Sequence, residues 1–96
     1  MQSADAGFDW DDGNRAKCQK HGVSLSEIEF VLSHPVAIYP SRAVKEKRNF
    51  AIGKNSKGRY VFVVFTVRQV HGQERLRAIS ARYMHRKEID RYEEEA

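Results

Sequence analysis

Two short helical patterns open the chain. The first covers residues 12–20, where Asp11 or Asp12 can cap the helix and basic residues gather towards its end. The second begins at Ser24 with a Ser-Leu-Ser-Glu sequence that fits a capping box, and Pro35 ends it. Between Ser24 and Pro35, apolar residues recur at helical spacing. The sequence therefore predicts two N-terminal helices.

Strand patterns follow the helices. Strands are predicted over residues 36–39, 50–53, 60–68 and 74–82, with a charged loop over 41–47 and turns over 54–58 and 70–73. A helical pattern returns over residues 85–95, where Ile89 and Tyr92 lie three apart. This order predicts the α+β class: two N-terminal helices, a four-stranded antiparallel sheet and a C-terminal helix. Residues 8–96 are expected to form a single domain, preceded by a flexible leader, residues 1–7.

The last hairpin carries arginines at paired positions. If residues 71–72 form a two-residue turn, Arg68 lies opposite Arg75 and Thr66 lies opposite Arg77. Arginines that face each other repel unless an acid or a phosphate lies between them. The pairing therefore indicates an anion site, although such charges also protect edge strands from aggregation. Both interpretations remain open at this point.

Arg82 lies at the far end of this hairpin. The same register pairs Val64 with Ile79 and places Arg82 opposite Val61, roughly 23 Å along the strand from Arg68. One phosphate cannot bridge that distance, whereas a groove that holds several nucleotides can. A three-residue turn or a β-bulge would change the parity and bring Arg68 and Arg82 to the same face.

Composition and charge narrow the classes of function. The 96 residues carry a formal net charge of +4, which favours a polyanionic partner. The longest apolar run, residues 60–67, is too short to span a bilayer, and the acidic N-terminus does not indicate a signal peptide. A single cysteine, Cys18, excludes an internal disulfide and fits a reducing cytoplasm. The four histidines lack metal-ligand spacing, so no metal site is predicted. Because the apolar run is short, no membrane partner is predicted either.

Further basic residues lie near the end of the first predicted helix. Lys17, Lys20 and His21 could stabilise charge and transfer protons beside a bound phosphate, as cleavage of RNA requires. The 2′-hydroxyl of RNA can attack its own phosphodiester, so such cleavage needs neither a metal nor a protein nucleophile. The alternative interpretation is a solvated basic helix end.

Several motifs, taken in order, resemble the BrnT-type toxin family. The resemblance covers about residues 8–93. It rests on Phe8-Asp9-Trp10-Asp11, Asn14, Lys20-His21-Gly22-Val23-Ser24, Arg48 with Phe50-Ala51-Ile52-Gly53, Gly58-Arg59, Val63-Val64-Phe65-Thr66-x-Arg68, Ile79-Ser80-Ala81-Arg82, and Glu88 with Tyr92. Each piece alone is weak, but their order and spacing together are fairly specific.

This resemblance implies a RelE-like fold and a cytoplasmic, metal-independent endoribonuclease without a cofactor that cleaves RNA and inhibits translation and growth. It also implies a cognate BrnA-type antitoxin with a ribbon-helix-helix domain, through which the toxin reaches operator DNA indirectly. The residues expected to act in catalysis are Lys20, His21, Arg68 and Arg82, and those expected to bind RNA are Lys17, Arg48, Arg59, Arg75 and Arg77.

One position departs from the family pattern. The family often has an acid directly before the arginine that Arg48 matches, whereas here Lys47 stands there and Glu46 one residue earlier. If that acid serves as a base, activity depends on whether Glu46 substitutes for it. The sequence also admits a non-catalytic RNA-binding or corepressor module, or a purely structural interaction protein.

Overall fold

In the part of the chain that the structure describes, three helices and four strands follow one another in the predicted order. The computed structural model describes residues 7–40 and 47–95, so residues 1–6 of the predicted leader, 1–7, and residues 41–46 of the charged loop lie outside the described residues. The elements are α1 (Asp12–Cys18), α2 (Leu25–Ser33), β1 (Ala37–Pro40), β2 (Asn49–Lys54), β3 (Tyr60–Val70), β4 (Gln73–Tyr83) and α3 (Arg86–Glu95). The predicted α+β class is confirmed.

Capping boxes begin both N-terminal helices. The side chain of Asp11 accepts from the backbone N–H of Asn14, and Ser24 does the same for Glu27, while Asn14 and Glu27 cap in return. The first helix ends at Cys18 rather than at residue 20, because the N–H of Lys20 bonds to the carbonyl of Lys17, three residues back, and the chain then turns at Gly22 with positive φ. Residues 20–21 therefore lie in the turn that follows α1.

A four-stranded antiparallel sheet, in the order β1-β2-β3-β4, separates two layers of helices. The larger core lies on the side of α1 and α2, where Val61, Val63 and Phe65 of β3 are buried. The smaller core lies on the other side and is formed by Ile52, Tyr60 and Met84, with Ile89 and Tyr92 of α3 packed against it. We call the side that α3 partly covers the α3 face. No residue of α3 is itself buried, so this helix is the most lightly anchored of the three.

The hairpin of β3 and β4 follows the predicted register in its first half. Residues 71–72 form the turn, both with positive φ, as a two-residue hairpin turn requires. Arg68 pairs with Arg75, and Thr66 pairs with Arg77, as predicted. The predicted register is therefore confirmed for this half of the hairpin.

A register shift at Ile79 alters the second half. Val64 pairs with Ser80 rather than with Ile79, and Arg82 pairs with Phe62 rather than with Val61. The predicted pairs are therefore wrong beyond Phe65, and the alternative with a β-bulge is the one observed. The extra residue allows Ala78 and Ala81, three positions apart, both to be buried in the larger core. Because paired residues share a face, the bulge brings Arg82 to the α3 face together with Arg68, Arg75 and Arg77.

None of the helices in the described part of the chain has the length and apolar character that crossing a bilayer requires.

Candidate functional site

Asp9 joins two of the arginines. Phe8 forms a parallel bridge with Leu76, and the N–H of Asp9 donates to the carbonyl of Leu76, which fixes this segment along the outer edge of β4. The Oδ2 atom of Asp9 then accepts from Nη1 of Arg68 at 3.1 Å and from Nη1 of Arg77 at 3.3 Å. Two guanidinium groups that share one oxygen atom are close enough for one phosphate to contact both. We call Asp9, Arg68 and Arg77 the arginine pair site.

Asp11 and Asn14 support this site from α1. Nη2 of Arg77 contacts Oδ2 of Asp11 at 2.8 Å. The backbone N–H of Asn14, followed by Arg77, lowers the pKa of Asp11. Asn14 is buried, and its amide donates to the carbonyls of Asp9 and Ala78 at 3.0 Å each. Asn14 therefore ties the segment that carries Asp9 to the sheet.

Of the two facing arginines, Arg68 has an acidic partner within the protein. The sequence leaves an acid or a phosphate as possible neighbours, and the structure places Asp9 against Arg68. The side chain of Arg68 is still 52% exposed, so the contact leaves much of it accessible to a ligand. Arg75, opposite Arg68, has a buried Nε atom that bonds to no group in the described chain.

A shallow groove of about 210 Å³ adjoins Arg77. Lys17 lines it from α1, and Ile79, at the bulge, lines it from β4. This groove brings Lys17 and Arg77, both expected to bind RNA, into one place. Lys20 and His21 lie exposed in the turn after α1, where their side chains make no hydrogen bond or ion pair with any described residue.

Arg82 lies apart from the arginine pair site. It is six residues from Arg68 along the hairpin, or roughly 20 Å. Its guanidinium forms a bidentate pair with Glu88 of α3, at 2.7 Å and 2.8 Å, and lies 4.8 Å from the ring centroid of Phe62. The hydrogen bonds from Arg82, with one from the N–H of His85, lower the pKa of Glu88 to about 2. The bulge thus unites the four arginines on one face but not in one pocket.

A cluster of polar side chains surrounds Glu27, which the sequence indicates only as a capping residue. Its carboxylate accepts from the hydroxyl of Tyr83 at 2.8 Å and from the amide of Asn55 at 2.9 Å. The guanidinium of Arg59 stacks on the ring of Tyr83, 3.7 Å from its centroid. Burial alone would raise the pKa of Glu27, but hydrogen bonds from Asn55, Ser24 and Tyr83 outweigh it and lower the pKa to about 2. Arg59 is therefore oriented through Tyr83 by a fixed anion.

We expect Glu27 to make stability depend on pH. A carboxylate whose pKa is about 2 in the folded chain, against an ordinary 4.5, stabilises the fold fully above pH 4.5 and progressively less as the pH falls towards 2. In urea unfolding between pH 6 and pH 2.5, the free energy of unfolding of the wild type should fall more steeply than that of Glu27→Gln. Glu74→Gln, which removes an exposed carboxylate, controls for the change in net charge. Parallel curves for wild type and Glu27→Gln would contradict this linkage.

The remaining sequence candidates are distributed more widely. Arg48 is partly buried beside the start of β2. Lys47 is exposed, and its carbonyl accepts from the hydroxyl of Thr66, while Glu46 lies outside the described residues. Cys18 is fully buried, and desolvation raises the pKa of its thiol, in agreement with a packing role. In the described ranges, no three histidine, cysteine or acidic side chains meet as a metal site would require.

The sequence also matches a known protein family. Over residues 10–88 the chain matches a family model described as the ribonuclease toxin, BrnT, of a type II toxin–antitoxin system. The chain therefore belongs to the BrnT family of ribonuclease toxins. No curated protein matches it in sequence.

Proposed function

We propose that the protein is a metal-independent endoribonuclease in which Arg68 and Arg77 contact the phosphate at the cleaved bond. The observation that supports this most directly is the convergence of both guanidinium groups on one oxygen of Asp9. A carboxylate oxygen held in this way is negatively charged and accepts from guanidinium groups, as a phosphate oxygen does. RNA would compete with Asp9 for the exposed part of Arg68.

The reaction would use the RNA's own nucleophile. The 2′-oxygen attacks the adjacent phosphorus, its proton passes to a base, and the bond from phosphorus to the 5′-oxygen breaks as that oxygen receives a proton. Lys20 and His21, exposed and without polar side-chain partners among the described residues, would assist the proton transfers. Arg68 and Arg77 would stabilise the negative charge that develops on the phosphate. The products would be a 2′,3′-cyclic phosphate and a 5′-hydroxyl.

Other basic residues would bind the RNA on either side of the cleaved bond. One phosphate cannot contact both Arg68 and Arg82, because they lie roughly 20 Å apart along the hairpin. Arg82 would therefore bind a different phosphate once it exchanges Glu88 for the RNA. Lys17, with Arg77 in the groove, and the other expected contacts, Arg48, Arg59 and Arg75, would add affinity that falls as salt rises.

In the cell, the proposed activity would inhibit translation and growth from the cytoplasm. Family membership implies an antitoxin partner. We propose that this partner is of the BrnA type and carries a ribbon-helix-helix domain. The complex would then contact operator DNA through the antitoxin alone.

The deciding experiment incubates purified protein with end-labelled RNA in the presence of EDTA. We expect cleavage at the same rate with and without the chelator, and products that carry a cyclic phosphate. Salt-dependent binding without cleavage would favour the rival function, a non-catalytic RNA-binding or corepressor module. The observation that favours this rival is that Arg68, Arg77 and Arg82 already form ion pairs with acids of the protein itself. Cleavage abolished by EDTA and restored by a divalent metal would contradict metal independence.

A further inference from the structure

Exposed apolar side chains concentrate at one edge of the sheet. Val36, Ile38 and Tyr39 are 55%, 53% and 45% exposed, and all three lie on or directly before β1. The other large exposed hydrophobic residues of the described chain, Phe30 and Val67, lie on separate elements. The pairing of Ile38 with Ala51 places Ile38 on the side of α1 and α2, and the pairing of Tyr39 with Phe50 places Tyr39 on the α3 face, so exposed apolar surface lies on both sides of this edge, as a partner that adds a strand would use.

The two edges of the sheet differ in how they are protected. On β4, the segment at Phe8 pairs with Leu76, and Arg75 and Arg77 place charge along the strand. On β1, the described chain provides a partner on the β2 side only, and residues 35–40 contain no charged residue. Soluble proteins usually protect such edges with charge, proline, short strands or cover, and β1 has only its short length and Pro40 at its end. An apolar, uncharged edge is therefore suited to pairing with another chain.

A groove of about 440 Å³ continues this surface onto the α3 face. Tyr39 lies at its β1 end, and Ile52, Phe62 and Met84 contribute apolar surface. Lys87 and Arg91 of α3 line the same groove, together with Glu95 and with Glu88, which Arg82 neutralises. With Glu88 paired to Arg82, Lys87 and Arg91 stand against Glu95 alone, and this small positive excess beside an apolar floor suits a segment that carries both apolar and acidic residues.

From these observations we propose that the outer edge of β1 is where the antitoxin docks, by adding an extended apolar segment as a fifth strand with acidic residues towards Lys87 and Arg91. This inference rests on the proposed antitoxin partner. A second copy of this chain fits less well, because each copy carries a net charge of +4. An antitoxin in the groove would also lie beside Arg82, which the RNA is proposed to need.

The test measures binding of the antitoxin encoded beside this protein's gene to wild type and to two variants of similar exposure. Ile38→Asp changes the β1 edge, and Phe30→Asp changes an exposed apolar residue on α2, 49% exposed, as the matched control. We expect Ile38→Asp to weaken binding at least about tenfold, as loss of an interface anchor does, and Phe30→Asp to change it less than about twofold. RNA cleavage by the free protein should be unchanged in both variants.

Hydrogen exchange on the wild-type complex provides a readout that does not depend on any variant folding. Amides of residues 37–39 should exchange more slowly in the complex than in the free protein, whereas the N–H of Val36 already bonds to the carbonyl of Ile52 and Pro40 has none. Suppose the wild type binds the antitoxin, but Ile38→Asp binds it equally well and the β1 amides are not protected. The β1 edge is then not the docking site, although the proposed antitoxin partner is still supported. If wild type does not bind the antitoxin, both this inference and the proposed partner are wrong. A dimer of the free protein that Ile38→Asp dissociates would assign the edge to a second copy and overturn the proposal.

Discussion

Arg68→Ala is expected to reduce the rate of RNA cleavage roughly 10²–10³-fold, the usual effect of removing a group that stabilises charge in a transition state. Arg68 is half exposed, and Asp9 retains its contact with Arg77, so the fold should tolerate the change. Arg68→Lys should fall between wild type and Arg68→Ala, because it keeps the charge but loses the planar fork. Single-turnover cleavage with saturating enzyme separates this effect from weaker RNA binding.

The matched control for Arg68→Ala is Arg86→Ala. Arg86 lies on α3, is 81% exposed and contacts Asp90 at 3.8 Å, so its removal changes the net charge equally without touching the arginine pair site. In cells, expression without antitoxin should arrest growth, and Arg68→Ala or Arg82→Ala should relieve the arrest. If both single variants arrest growth as the wild type does, the assigned site is wrong.

Asn14→Ala is expected to lower the free energy of unfolding by about 2–4 kcal/mol, a large effect for a polar residue in a short helix. Its side chain satisfies the carbonyls of Asp9 and Ala78 and the N–H of Asp11, and alanine would leave these groups without that partner. Urea unfolding at pH 7 measures the change. Cleavage should fall as well, because the segment that carries Asp9 would lose its tie to the sheet.

Gln19→Ala is the comparison for Asn14→Ala. Its exposed amide donates once, to the carbonyl of Arg15, and its removal should cost less than about 0.5 kcal/mol. A loss below 1 kcal/mol for Asn14→Ala would show that water replaces its hydrogen bonds and that the segment is held mainly by its backbone pairing with Leu76.

Local features of the fold are readable from the sequence. The capping box at Ser24 depends on residues three apart, and the pairing of Arg68 with Arg75 follows from a two-residue turn. The bulge at Ile79 is not readable, since apolar and small residues around it fit either parity. Only the burial of Ala78 and Ala81 against the helices decides between them.

The site is harder to predict than the fold because its partners are distant in the chain. Asp9 lies 59 residues before Arg68 and 68 before Arg77, and no periodicity connects them. An acidic N-terminal segment in a basic chain is the one signal that suggests an internal partner for the arginines. The neutralisation of Arg82 by Glu88 likewise requires knowing how α3 lies on the sheet.

The bulge at Ile79 also bears on the shape of RNA that would fit the proposed binding face. A β-bulge bends its strand and increases the local twist, so Arg82 on one side of Ile79 and Arg77 on the other do not lie on one flat surface. A double helix is stiff over the length of this hairpin, whereas an unpaired strand can turn between the two contacts. If the proposed RNA contacts form, we therefore expect the irregularity in β4 to favour single-stranded regions of RNA over duplex.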